Sequence, residues 1–197
     1  MSRNWVRCAI GLSLGIIGAT ALAAQQQPPP KPAPAATPAA AAAASVILVD
    51  TVKGAFEIEL FPGDAPKSVD HILALVRKGF YRGLRFHRVV SALAQFGDPL
   101  TRNMTYRDGW GTGGSGQPIG VAEISKRHLH VRGAVGLAYS GSAVNADSQL
   151  YIMKSPSPSL DGKYAVIGQV MKGMDVVDRI EETDVVKNVT VKGDPAK

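Results

Sequence analysis

The chain has 197 residues, 22 Lys+Arg against 16 Asp+Glu for a formal net charge of +6, 45% hydrophobic residues and a single cysteine, Cys8. That length holds one domain with a real core beside shorter appendages. One cysteine excludes an intrachain disulfide framework, and basic residues scattered along the chain rather than clustered argue against a nucleic-acid-binding stripe.

In chain order, Arg3 and Arg7 precede an apolar run over residues 8–22, and Ala21-Leu22-Ala23 supplies an A-x-A site. These are the zones of a secretory signal peptide, read as residues 1–24 with cleavage near Ala23/Ala24. The run falls short of the roughly 20 residues that span a bilayer. The expectation is a periplasmic or secreted protein with no membrane span after cleavage. Cys8 leaves with the signal, so the mature chain has no thiol to form disulfides or ligate metal. Residues 25–44, QQQPPPKPAPAATPAAAAAA, have no apolar period. They read as a disordered Pro/Ala-rich tether whose prolines favour an extended form.

The domain proper is expected over residues 45–197. It opens with two β-rich runs, 46–52 and 55–60, around Lys53-Gly54; Phe56, Ile58 and Leu60 alternate with Ala55, Glu57 and Glu59, the mark of a hairpin. Residues 62–79 switch period: Val69, Ile72, Leu73 and Val76 fall at i, i+3, i+4, i+7, with Pro66 suited to the first turn and Gly79 to the stop. Met174, Val177 and Ile180 mark a second helix. Strand-like runs at 86–90, 93–97, 134–139, 149–153, 165–170 and 188–192 complete the chain. Short strands in this number with two helices predict a mainly β fold, a closed barrel capped by helices, because closure removes exposed edges.

Several motifs lead nowhere. The glycine-rich run 111–116 lacks the Gly-Lys-Ser/Thr ending of a phosphate loop. His128, His130 and Glu123 lack a fourth ligand, so no metal site is expected. No serine sits in a Gly-x-Ser-x-Gly elbow. The segment Phe86-His87-Arg88-Val89-Val90 is different: in an extended strand Phe86 and Arg88 share a face, with His87 on the other. Taken alone, the pair reads as an exposed arginine beside a core phenylalanine.

The wider pattern carries more. Phe80-Tyr81, Phe86-His87-Arg88-Val89-Val90, Gln95, Gly97-Asp98-Pro99, Gly111-Thr112-Gly113-Gly114, Arg132-Gly133-Ala134-Val135, Ser148-Gln149-Leu150-Tyr151-Ile152, Leu160-Asp161-Gly162-Lys163 and residues 170–177 resemble, in order and spacing, a cyclophilin. The resemblance implies an eight-stranded antiparallel barrel closed by two helices. It also implies a peptidyl-prolyl cis-trans isomerase that uses no cofactor, metal or nucleotide and acts on unfolded or extended proline-containing polypeptides; nothing in the sequence suggests more than a monomer. By the same resemblance Arg88 is the catalytic guanidinium, Phe86 sits in the proline pocket, Gln95 hydrogen-bonds the substrate backbone, and Ala138, Tyr151, Leu160 and Tyr164 complete the groove. Tyr164-Ala165-Val166 is similar to the bacterial exported branch.

The sequence also departs from the family. Tyr151 stands where phenylalanine is usual. Between Arg88 and Gln95 the chain is one residue shorter, and the aromatic of the pocket floor is replaced by Leu93 counting from Arg88, or by Ala92 counting back from Gln95. Phe96, at a glycine position, offers a ring to refill the floor. Ser159 replaces a large ring, which by resemblance weakens cyclosporin-like inhibitors. The alternative function is a weakly catalytic or non-catalytic holder of proline-containing segments.

Overall fold

The computed structural model describes residues 45–194; the expected signal (1–24) and tether (25–44) lie outside the described residues. The opening hairpin forms as its alternation requires: β1 (Val46–Thr51) pairs antiparallel with β2 (Gly54–Leu60), and Phe56, Ile58 and Leu60 turn inward. The turn is tight because Gly54 adopts φ 129, a conformation that L side chains rarely take.

Helix α1 (Pro66–Arg77) begins with proline in its first turn and buries Val69, Ile72, Leu73 and Val76. Its N-cap residue, Ala65, has no side chain to accept the free amides. Glu123 does so from a distant loop, taking the N–H groups of Lys67 and Ser68 at 3.1 and 2.7 Å. A carboxylate there also meets the positive end of the helix dipole.

The remaining strands are β3 (Arg88–Val89), β4 (Leu93–Phe96), β5 (Ala134–Leu137), β6 (Leu150–Met153), β7 (Val166–Lys172) and β8 (Val186–Val191), with helix α2 (Met174–Arg179) between β7 and β8. They make one antiparallel sheet in the order β3-β4-β6-β5-β7-β2-β1-β8. The expected closed barrel is corrected here: β3 and β8 end the sheet without pairing to each other. What joins the two ends is an isolated bridge between Arg85 and Val185, in the segments leading into β3 and β8. Phe86 N–H donates to Asp184 O at 3.0 Å and Thr183 N–H to Phe86 O at 2.8 Å across the same seam.

The concave face of this curled sheet and the inner face of α1 enclose the main core, which includes Phe56, Ile58, Ile72, Phe86, Phe96 and Ile167. Each fully buried large side chain contributes roughly 1.5–3 kcal/mol of transfer free energy. A second, smaller cluster forms on the outer face from Leu93, Ala134, Tyr151, Met153 and Val166, with Phe61, Ala138, Leu160 and Tyr164 half-buried around it. No helix among the described residues is long and apolar enough to cross a membrane.

Candidate functional site

Strand alternation decides which side chains reach the outer face. On β4, Ala94 and Phe96 point into the core, so Leu93 and Gln95 point out. On β6, Leu150 and Ile152 face inward while Tyr151 and Met153 face out. The register then aligns Arg88 with Gln95, Gln95 with Tyr151, and Tyr151 with Gly136 across β3, β4, β6 and β5. A guanidinium, an amide and an aromatic ring thus stand side by side, at strand spacings of about 4.8 Å.

Gly136 is as much a part of that row as the side chains. A Cβ there would lie 2.3 Å from Cζ and Oη of Tyr151, so the ring lies down across β5 because nothing stands in its way. Tyr164 meets it edge-on, with centroids 6.1 Å apart at 88°, and Tyr139 packs on Tyr164 at 4.6 Å. Tyr151 and Leu93 form a buried floor; Ala138, Leu160 and Tyr164 form half-buried walls. The result is an apolar patch, called the hollow below, beside an exposed cation.

The polar half of the row is braced from behind. Gln149 donates its amide hydrogens to the carbonyls of Gly111 and Gly113 at 2.9 and 2.7 Å. Its Oε1 accepts from Gln95 Nε2 at 2.9 Å, and Gln95 Oε1 accepts from Arg88 Nη1 at 3.5 Å. Asp98, fully buried, holds the same loop through the N–H groups of Gly111 and Gly113 and that of Leu100. A cleft of about 500 Å³ opens along this loop, bordered by Gln95, Gly113, Ala138, Asn145 and Gln149, next to the hollow.

Of the residues expected from sequence, Arg88, Gln95, Leu93, Ala138, Tyr151, Leu160 and Tyr164 come together on this face. Phe86 does not. It is 0% exposed and packs on Phe96 in the main core at 5.0 Å, so its place in a proline pocket is corrected. The strand begins only at Arg88, because Phe86 is held in the seam with Asp184 and Thr183, and the expected shared face of 86 and 88 is lost. Phe96 also faces the core, against Tyr81 and Phe86, and does not refill the hollow. The missing residue between Arg88 and Gln95 is explained by a tight turn at Ser91-Ala92, closed by Val90 N–H to Leu93 O at 2.9 Å. This leaves Leu93 on the floor and puts Ala92 in the turn.

The discarded metal candidates part company. His128 pairs with Asp64, Glu123 caps α1, and His130 lies behind Tyr151. Sequence reading missed Gly136, Gln149 and His130, whose roles depend on partners distant in sequence.

The comparisons agree with this geometry. The family described as "Cyclophilin type peptidyl-prolyl cis-trans isomerase/CLD" matches residues 46–196. A probable peptidyl-prolyl cis-trans isomerase of Brucella suis is 42% identical over 154 residues, covering 75% of this chain and 77% of that one. Peptidyl-prolyl cis-trans isomerase B of Bacillus subtilis is 36% identical over 138 residues, covering 70% and 90%. A crystal structure of a cyclophilin type peptidyl-prolyl cis-trans isomerase from Cryptosporidium parvum superposes with a TM-score of 0.66 at 25% identity, over 77% of this chain and 99% of that one. The chain belongs to the cyclophilin-type peptidyl-prolyl cis-trans isomerase family.

Proposed function

We infer that the domain accelerates rotation about X–Pro peptide bonds, with Arg88 as the catalytic group. The supporting observation is the row Arg88, Gln95, Tyr151: an exposed guanidinium one strand-pair away from an apolar hollow. Partial double-bond character makes the rotation cost about 18–20 kcal/mol, and uncatalysed X–Pro exchange takes tens of seconds or more. No bond need break. As the amide twists, the proline nitrogen loses conjugation and regains a lone pair, so a donor aimed at it binds the transition state better than either planar ground state.

Arginine suits that role because its fork of N–H groups is rigid and stays charged at any working pH. Leu93, Tyr151, Leu160 and Tyr164 grip the pyrrolidine ring by apolar contact. Gln95 orients the guanidinium through its Oε1, while its second amide hydrogen remains for the peptide backbone. Ala138 borders both the hollow and the adjoining cleft, which takes the residues preceding proline.

The substrates on this reading are unfolded or extended proline-containing polypeptides. Residues 1–24 direct export and are removed, residues 25–44 tether the domain, and the mature protein acts as a monomer in the periplasm or outside the cell, within the exported bacterial branch of the family. Support for export is the charged, apolar and A-x-A zoning of residues 1–24.

The experiment is NMR exchange on a proline peptide with wild type, Arg88→Ala and Arg88→Lys. Arg88→Ala lowers turnover at least tenfold, about 1.4 kcal/mol of barrier, with the fold intact, and lysine does not restore it. Unchanged turnover in the alanine variant sinks the assignment.

A further inference from the structure

Tyr151 carries one atom more than a pocket floor requires, and that atom is engaged. Its Oη lies 2.7 Å from Nε2 of His130. Nδ1 of the same imidazole lies 2.8 Å from Oδ1 of Asp161, which also accepts the His130 backbone N–H at 2.7 Å. His130 is 2% exposed and Tyr151 3%, so neither polar atom has bulk water as a substitute partner.

The protons on this chain follow from its two ends. The His130 backbone N–H, then its ring, hold the Asp161 carboxyl below the usual carboxylate range. An ionised carboxylate only accepts, so Nδ1 carries hydrogen and donates. Burial, the largest cause, pushes the Tyr151 hydroxyl up, and it stays protonated as a donor. Nε2, the ring's other nitrogen, meets that hydroxyl. A bare Nδ1 would instead set two acceptors face to face, with no hydrogen between the ring and the carboxylate.

The three residues belong to different parts of the hollow. Tyr151 is on β6 and forms the floor. Asp161 directly follows Leu160, which ends the short turn Pro158–Leu160 and forms a wall, and Tyr164 stands three residues on. That turn has little packing to hold it: Pro156, Pro158 and Ser159 are all exposed.

We propose that His130 is a positioning residue of the proline hollow: it ties the floor ring of Tyr151 to the turn bearing Leu160, and so sets the width that accepts a pyrrolidine ring. His130 touches neither the peptide nor Arg88. This rests on reading the hollow as the proline site.

The test uses the full exported chain, the peptide Ala-Ala-Pro-Phe as probe, and three readouts: affinity, exchange rate at saturation, and the imidazole ¹⁵N spectrum. The spectrum of wild type at neutral pH shows hydrogen on Nδ1 of His130; a bare Nδ1 overturns the proposal. His130→Leu weakens Kd about tenfold and leaves the saturated rate within about twofold, because the contact with Arg88 survives. His130→Gln stays near wild type, since its carboxamide offers an acceptor to Tyr151 and a donor to Asp161. Tyr151→Phe cuts the chain without disturbing the buried imidazole and weakens Kd about threefold; adding His130→Leu to it costs nothing further. Wild-type affinity in folded His130→Leu, or in Tyr151→Phe should the former not fold, overturns the proposal. A wild type that binds the peptide without speeding exchange overturns the isomerase reading instead, and the affinity comparison still stands.

Discussion

Tyr151 lies flat across β5 only because position 136 lacks a side chain. Gly136→Ala puts a methyl group 2.3 Å from the ring's Cζ and Oη, and the neighbouring strands leave the ring only one escape, away from the sheet and into the hollow. Overpacking of this kind costs about 1–3 kcal/mol. The expected outcome is a lower denaturation midpoint together with weaker binding of a proline peptide, checked by urea titration and NMR titration on one preparation; a variant with wild-type affinity sinks this account of the floor. Which side chains stand together was legible where one segment carries the signal, as at Arg88 and Gln95, which pair across adjoining strands. It was illegible for Gly136, His130 and Gln149, whose partners lie on other strands and loops. Phe86 was misplaced for a related reason: the alternation rule holds inside a strand, and residues 86 and 87 precede β3.

Elements that bury one face against a single neighbour were readable from period alone, as with α1 and the opening hairpin. The loop over residues 111–113 was not, since its form depends on Asp98 and Gln149 holding its backbone. His87 is packed beneath that loop, with its ring beside Gly111. Neither of its ring nitrogens has a hydrogen-bond partner among the described residues. Gln149 lies near enough to favour the charged form slightly, but its hydrogens are given to the Gly111 and Gly113 carbonyls. Burial dominates and pushes the imidazole pKa down; Asp98 and Glu182 oppose the shift and Arg88 adds to it. The unfolded chain therefore takes up this proton first as pH falls. The contribution is fully present above about pH 6.5 and is lost as pH drops from there toward the folded-state value. Unfolding free energies at pH 7.5 and 5.5 thus differ more in wild type than in His87→Asn. Equal differences would mean the ring is not held neutral by its surroundings.

Across the whole molecule, the ends of the curled sheet meet at a seam rather than a ladder, and sequence reading, which reasoned from the cost of exposed edges, expected full closure. The chain meets that cost differently: β3 has only two residues, and one bridge with a few backbone bonds joins the segments before β3 and β8. The seam contains Thr183, which has φ 75 and is the one non-glycine residue among those described with a positive φ. A β-branched side chain in that region stores about 1–3 kcal/mol of strain. Its backbone is nonetheless held on both sides, with N–H donating to Phe86 O at 2.8 Å and its carbonyl accepting from Arg85 Nη1 at 2.9 Å. Those bonds keep Phe86 in the core and thereby start β3 at Arg88. Thr183→Gly retains both bonds, removes the strain and costs about 0.5–1 kcal/mol in chain entropy, a net gain of about 1 kcal/mol. For a domain of this size, that raises Tm by about 2–4 °C, measured by calorimetry, with exchange catalysis on a proline peptide unchanged because the Arg88 row is not touched. A lower Tm would show that the threonine side chain contributes more to the seam than its backbone conformation costs.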